Sequence, residues 1–151
     1  MTPEEKLASL GIHLAAPAAP VANYVPFRIC GNIVYVSGQL PSSEGKVVYT
    51  GVVGDTVTLA VAQKAARLCA VNVLAAAKAA AGDLSIIEVL RVEGFVASAP
   101  GFTAQPAVIN GASHFLVEVL GPAGKHARFA VGVASLPLDA CVEVAAILKI
   151  N

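Results

Sequence analysis

Residues 126–144 read His126-Ala127-Arg128-Phe129-Ala130-Val131-Gly132-Val133-Ala134-Ser135-Leu136-Pro137-Leu138-Asp139-Ala140-Cys141-Val142-Glu143-Val144. Valine-rich runs on either side of Leu136-Pro137 predict two β-strands joined by a corner. β-Branched and aromatic residues suit a pleated surface, and proline cannot donate to a ladder. Each run carries one charge in apolar company: Arg128 in the first, Glu143 in the second. A charge is costly to bury unless something pairs with it. Spacing leaves two readings open. Either the two charges pair with each other or point at water, or Arg128 receives a carboxylate and Glu143 serves as an acid/base group beside it. His126 lies two residues before Arg128, which puts both on one face of a strand. With Lys125 adjacent, an Arg and a His on one face could fork a carboxylate, or they could form a solvated strand end.

Outward from this stretch, Gly121-Pro122-Ala123-Gly124 is a loop. Before it, the pattern predicts a helix starting at Thr103 to Gln105, with Pro106 in its first turn and an end near Leu120. Ile109, Ser113, Leu116 and Leu120 share one face of it. A strand from Ile86 to Ala97 precedes that helix, with a bulge expected near Gly94. The longest helix runs from about Val57 to Ala80, capped by Asp55 or Thr56 and closed by Gly82. Val61, Ala65, Leu68 and Asn72 are expected to face a sheet. Lys46 to Tyr49 forms a short strand. Val25 to Cys30 and Ile33 to Ser37 form a hairpin across Gly31-Asn32. Ser37-Gly38-Gln39-Leu40-Pro41 ends its second strand.

At the start, Thr2-Pro3-Glu4-Glu5 reads as a capping box with proline at the first helical position. Leu7 and Leu10 give that helix an apolar stripe, and Gly11 stops it. Residues 13–23 are too rich in Ala and Pro for a regular element and form an extended connector. The order after the first helix is β-β-β-α-β-α-β-β. That predicts an α+β, two-layer fold in which both long helices cover one face of a single sheet. One domain spans residues 1–151: residues 1–23 are the helix and connector, and residues 24–151 the core.

The chain has 151 residues, 56% hydrophobic and 13% charged, with ten basic and ten acidic side chains. About a quarter charged is usual. The apolar excess is alanine and valine in periodic elements, which points to buried subunit interfaces and a homo-oligomer. Zero net charge, no basic run and 5% aromatic content argue against nucleic-acid binding. No uninterrupted apolar run approaches the ~18 residues of a membrane span, and no secretory leader pattern opens the chain. Cys30, Cys69 and Cys141 are isolated, as buried thiols in a reducing cytoplasm would be. The histidines His13, His114 and His126 lack metal-motif spacing. Ser37-Gly38 lacks the Gly-x-Ser-x-Gly elbow of a serine hydrolase, and no phosphate-binding glycine loop occurs. Tyr24 is a lone aromatic ahead of a strand, suited to core-edge or surface packing.

Several of these stretches together resemble a known family. Tyr24, Ser37-Gly38-Gln39-Leu40-Pro41, Ala127-Arg128, Leu136-Pro137 and Val142-Glu143-Val144 are similar in order and spacing to the YjgF or RidA family, the reactive-intermediate deaminases. The resemblance runs from about Tyr24 to Ile147. It implies a chorismate-mutase-like subunit: one mixed sheet with two helices on one face, assembled as a homotrimer with clefts between subunits. It implies hydrolysis of enamines and imines of the 2-aminoacrylate type to a 2-keto acid and ammonia, with no metal and no bound cofactor. On the same resemblance Arg128 holds the substrate carboxylate, Glu143 positions or activates water, Tyr24 closes the pocket, and Ser37 and Gly38 line it.

The chain departs from the family pattern at three places. Ala130 stands where many members have cysteine, which excludes chemistry through that thiol but not hydrolysis by water. Ser113 replaces a common aromatic on the second helix, which re-lines that wall. The N-terminal helix and the segment 121–126 lengthen the chain, and His126 occupies a place usually held by a small residue or proline. These departures keep a second function in view, a non-catalytic module that binds a small carboxylate or keto acid in the same cleft. A ribonuclease is disfavoured by the neutral charge and the lack of a paired-histidine site.

Overall fold

The computed structural model of the protein describes residues 1–17 and 23–151. Helix α1, Pro3–Ser9, carries the predicted capping box. The Thr2 hydroxyl accepts from the Glu5 backbone N–H, and the Glu5 carboxylate accepts from the Thr2 N–H. The helix docks through buried Leu7 and through Glu4, which accepts from Lys78 Nζ at 2.9 Å and from the Leu84 backbone N–H at 2.8 Å. Residues 18–22 of the expected connector lie outside the described residues.

Strands β1, Phe27–Cys30, and β2, Ile33–Gln39, form the predicted hairpin, with Cys30 opposite Ile33. Gly31 takes φ +61° at the first turn position, where a type II′ turn requires glycine. The third predicted strand does not join this sheet. Ser42–Ser43, β3, and Lys46–Val47, β4, instead make a separate ladder. The turn between them holds Glu44 and Gly45 at positive φ, which folds the segment back on itself before it can reach β2.

Helix α2, Leu59–Ala81, begins later than predicted and is capped by the Thr58 hydroxyl, which accepts from the Val61 N–H. The Thr56 hydroxyl is committed elsewhere, accepting from the Val52 N–H. Gly82 ends the helix in the left-handed conformation at φ +78°, as its sequence position predicts. The buried face also differs from the predicted row. It runs through Ala62, Ala65, Ala66, Cys69, Ala70, Val73, Leu74 and Ala77, while Val61 is exposed. Alanine on nearly every side makes the apolar periodicity weak, so the register of the face is set by packing. By length and composition α2 could cross a membrane, but half of its most apolar window is buried inside this fold. It is the core helix.

Strand β5, Ile87–Ala97, is followed by α3, Gln105–Leu120, and β6, Ala127–Val133. β5 and β6 are parallel neighbours linked by α3. The final strand, β7, Val142–Ile150, inserts between β2 and β5, antiparallel to both. The sheet order is therefore β1-β2-β7-β5-β6. It is mixed and five-stranded, with α2 over β2 and β7 and α3 over β5 and β6.

The bulge in β5 falls between Val89 and Arg91, not at Gly94. Gly94 has another reason to be glycine: a Cβ there would collide with Ile109 of α3. Gly111 likewise lets α3 approach the α2 backbone at Gln63. Residues 121–124 tighten into a 3₁₀ turn instead of an open loop. At the Leu136-Pro137 corner, Leu138 and Asp139 both take positive φ. Cys69 and Cys141 are buried as expected, but Cys30 is exposed: it stands opposite Ile33, whose neighbour Val34 is buried under the helices, so Cys30 lies on the open face.

Candidate active site

Two clusters of polar side chains hold the residues singled out in the sequence, and they lie on opposite faces of the sheet. Arg128 stands in register with Val92 of β5, which in turn stands opposite Ala146 of β7. Both neighbours are buried under the helices, so Arg128 belongs to the helix face. Glu143 stands opposite Phe95, and the residues on either side of it, Val142 and Val144, are fully buried. Glu143 therefore points to the open face. Strand β5 separates the two strands. The pairing of Arg128 with Glu143 does not occur within one chain, and neither is free in the same way.

The helix-face cluster is built on α3 and the start of β6. Arg128 donates from Nη1 to the Ser113 hydroxyl at 3.0 Å and from Nη2 to the Pro106 carbonyl at 3.3 Å. His126 Nε2 meets the same Ser113 hydroxyl at 2.9 Å, and its Nδ1 meets the Gly124 carbonyl at 2.6 Å. A carbonyl can only accept, so Nδ1 carries the proton; in the neutral ring Nε2 then accepts from the Ser113 hydroxyl. One directed chain results, from Arg128 through Ser113 and His126 to Gly124. Ala130, two residues on from Arg128, packs partly buried against the core opposite Gly94. A shallow depression of about 420 Å³ opens here, lined by Asn110, Ser113 and His114 of α3 and by Lys125, His126 and Arg128.

The open-face cluster gathers at the ends of β1, β2 and β7. The Ser37 hydroxyl donates to the Val25 carbonyl at 2.6 Å, and the Ser37 backbone N–H donates to Pro26 at 2.9 Å. These bonds tie Ser37 to the segment carrying Tyr24, a residue 59% exposed. The pairing of β2 with β7 is interrupted between Val36 and Gln39, and Gly38 lies in that irregularity. A Cβ on Gly38 would fall on the Glu143 carboxyl group. The bulge thus clears space for that carboxylate. Glu143 makes no hydrogen bond and no ion pair among the described residues. Burial pushes its carboxyl above the ordinary range, which makes it a better proton acceptor than an exposed glutamate.

Arg128, Glu143, Tyr24, Ser37, Gly38, Ala130 and His126 are the candidate site residues in the sequence. The structure divides them: Arg128, Ala130 and His126 on one face, and Ser37, Gly38 and Glu143 at the other, with Tyr24 exposed on the segment bonded to Ser37. Ser113 was marked only as a changed wall and turns out to be the bridge between His126 and Arg128. A second cavity, about 390 Å³, lies between α2 and the residues after α1, lined in part by His13, Gln39, Glu44 and Asn72. Asn72 donates to the carbonyls of Leu40 and Ser42 and so fixes the segment after β2. An asparagine inside an alanine-rich helix is the signal for such a role, because it lowers helix propensity without filling a core.

Comparison with known proteins agrees with this architecture. Residues 4–149 match the family described as "YjgF/chorismate mutase-like, putative endoribonuclease". Protein TCP17 of Trypanosoma cruzi is 46% identical over 147 residues, covering 96% of this chain and 92% of that protein. The crystal structure of a protein of unknown function from Agrobacterium tumefaciens superposes with a TM-score of 0.92 at 55% identity, covering 99% of this chain and 94% of that one. A "putative endoribonuclease" from Shewanella oneidensis gives 0.94 at 34% identity, covering 99% of this chain and all of the other. With a matched sequence, a mixed sheet and two helices on one face, the chain belongs to the YjgF/chorismate mutase-like family.

Proposed function

We propose that the protein hydrolyses reactive imines and their enamine tautomers, of the 2-aminoacrylate type, to a 2-keto acid and ammonia. The observation that carries this reading is Glu143: a half-buried carboxyl with raised proton affinity, left without a partner, in space that Gly38 keeps open. That is the character of a general base poised for water. In the step proposed, Glu143 takes a proton from water as its oxygen bonds to C2 of the imine. Glu143 passes that proton to the nitrogen, the new hydroxyl gives up its own proton to the nitrogen as it becomes the keto-acid carbonyl, the C–N bond breaks, and ammonia leaves. Arg128 holds the carboxylate beside C2. Two of its five N–H groups are used internally, which leaves enough for a bidentate grip.

Because the two clusters lie on opposite faces, the complete site needs two copies of the chain. Glu143, Tyr24, Ser37 and Gly38 come from one subunit, and Arg128 and Ala130 from the next. A homotrimer closing three such clefts is the assembly proposed, in the cytoplasm. The open face supports it, since Tyr35 and Val131 there are 51% and 42% exposed. The Escherichia coli protein TdcF supports small-carboxylate recognition, having been solved with bound serine. It superposes at a TM-score of 0.62 with 26% identity, covering 90% of this chain and 93% of that one.

The test supplies 2-aminoacrylate from a serine-eliminating enzyme and follows keto-acid release above the spontaneous rate. Arg128→Ala should lose about a thousandfold in kcat/KM, the scale of two charge-assisted hydrogen bonds. No acceleration by the wild type, or an undiminished Arg128→Ala, would sink the hydrolase reading. Binding of small carboxylates without turnover would leave a non-catalytic sensor in its place.

A further inference from the structure

The depression beside Arg128 offers more hydrogen-bond donors than one carboxylate needs, and Lys125 adds a second cation to it. Lys125 and His114 line it together with Arg128 and His126, and no acidic side chain does. Glu118, one helical turn beyond His114, is turned away toward Arg67 of α2, at 3.9 Å. Among the described residues, the side chains of Asn110, His114 and Lys125 make no hydrogen bond and no ion pair. Arg128 itself is held in place by Ser113 and Pro106, and Ser113 by His126. One fixed guanidinium and a set of uncommitted donors thus share a single hollow.

We infer that this hollow receives a second acidic group, so that the preferred substrate is a short 2-imino dicarboxylate of the aspartate or glutamate class. The inference rests on the hydrolase reading for the reaction and adds the substrate class. The 1-carboxylate lies on the free edge of Arg128. The side-chain carboxylate reaches toward Lys125, His114 and the Asn110 amide. A monocarboxylate with a methyl or methylene side chain leaves those donors solvated and gains nothing from them. A dicarboxylate accepts from them. The chemistry balances as before: water adds at C2, the C–N bond breaks, ammonia leaves, and the second carboxylate is unchanged in the 2-oxo dicarboxylate product. Ser113 and His126 are the positioning pair. A bulky aromatic at position 113 would fill the hollow and remove the acceptor for Arg128.

The experiment compares kcat/KM for imines generated by amino acid oxidases from aspartate and from alanine, each corrected for spontaneous hydrolysis. The wild type should favour the dicarboxylate by about tenfold or more, the scale of one charge-assisted contact. In Lys125→Gln/His114→Gln the ratio should fall toward unity. A wild-type ratio near unity, or a ratio that the double variant does not move, overturns the inference and leaves the hydrolase reading standing. Should neither imine be hydrolysed, the hydrolase reading fails and thermal shift with 2-oxoglutarate and pyruvate decides the hollow alone. Larger stabilisation by 2-oxoglutarate, lost in the double variant, supports it; equal or absent stabilisation overturns it.

Discussion

Arg128 and Glu143 hold matching places in the sequence, each a charge near the start of an apolar strand, but their surroundings differ. Arg128 sits on the face covered by helices, where α3 supplies a hydroxyl and a carbonyl to meet it. Glu143 sits on the face left open, beside a glycine in an interrupted ladder, with burial opposing its charge and no donor relieving it. The first arrangement fixes a cation's direction. The second keeps a carboxylate reactive at a cost in stability. A fold that placed both on one face would let them neutralise each other. Separating them by β5 keeps each available to a partner outside its own chain.

After Arg128→Ala, the largest effect expected from breaking this contrast is at Glu143. Glu143→Gln should slow hydrolysis by about a hundredfold or more, the usual contribution of a positioned acid/base group. It should also raise Tm at neutral pH. The sign follows from the raised carboxyl: the folded state takes up a proton more readily than the unfolded chain. Folding therefore loses stability as pH rises from the ordinary glutamate range through the raised folded value. Gln avoids that loss, and its advantage should vanish in acid below the unfolded range. Thermal melts of both proteins across pH check this, and a Tm lowered at neutral pH would refute it.

Gly38→Ala sharpens the same contrast without removing a charge. Its Cβ would occupy the carboxyl's place, so Glu143 must swing aside. The end of a flexible side chain can move, which puts the stability loss near 1 kcal/mol, the low end for overpacking. The rate should fall about tenfold, read from kcat with KM little changed, because the substrate carboxylate is held elsewhere.

The smallest effect is at Glu4, a carboxylate with ample partners. Burial there opposes the charge, but the Leu84 backbone N–H and Lys78 outweigh it and lower the carboxyl below its ordinary range. Glu4→Gln should cost under about 1 kcal/mol near neutral pH, as surface pairs do. That difference should fade as pH falls from the ordinary glutamate range through the lowered folded value. Denaturant melts at several pH values read it.

Much of the fold was legible because local signals were strong. The capping box at Thr2, the glycine turn at Gly31 and the stop at Gly82 each have a local cause, and all three stand. What was not legible depended on partners far away in sequence. The buried row of α2 was misplaced at Val61 because alanine surrounds the helix and supplies no contrast. The short strand at Lys46–Val47 was assigned to the sheet because its composition does not reveal the backward fold at Glu44-Gly45. Arg128 and Glu143 looked like possible partners because strand order is a long-range property: nothing near them says that β7 inserts between β2 and β5. The role of His126 was open for the same reason, since it is decided by Ser113, thirteen residues away.

The three thiols divide as the sheet does, and that gives the chain a record of its own opening. Cys69 and Cys141 lie in the core, where burial pushes the first well above the usual thiol range and the second to about 11. Thiolate is the species that alkylates, so both are silent while the core is closed. Cys30 is exposed on β1. In an alkylation time course, one mass increment per chain arrives early and marks the folded molecule. The second and third arrive only when α2 lifts from β7, and their lag measures how often it does.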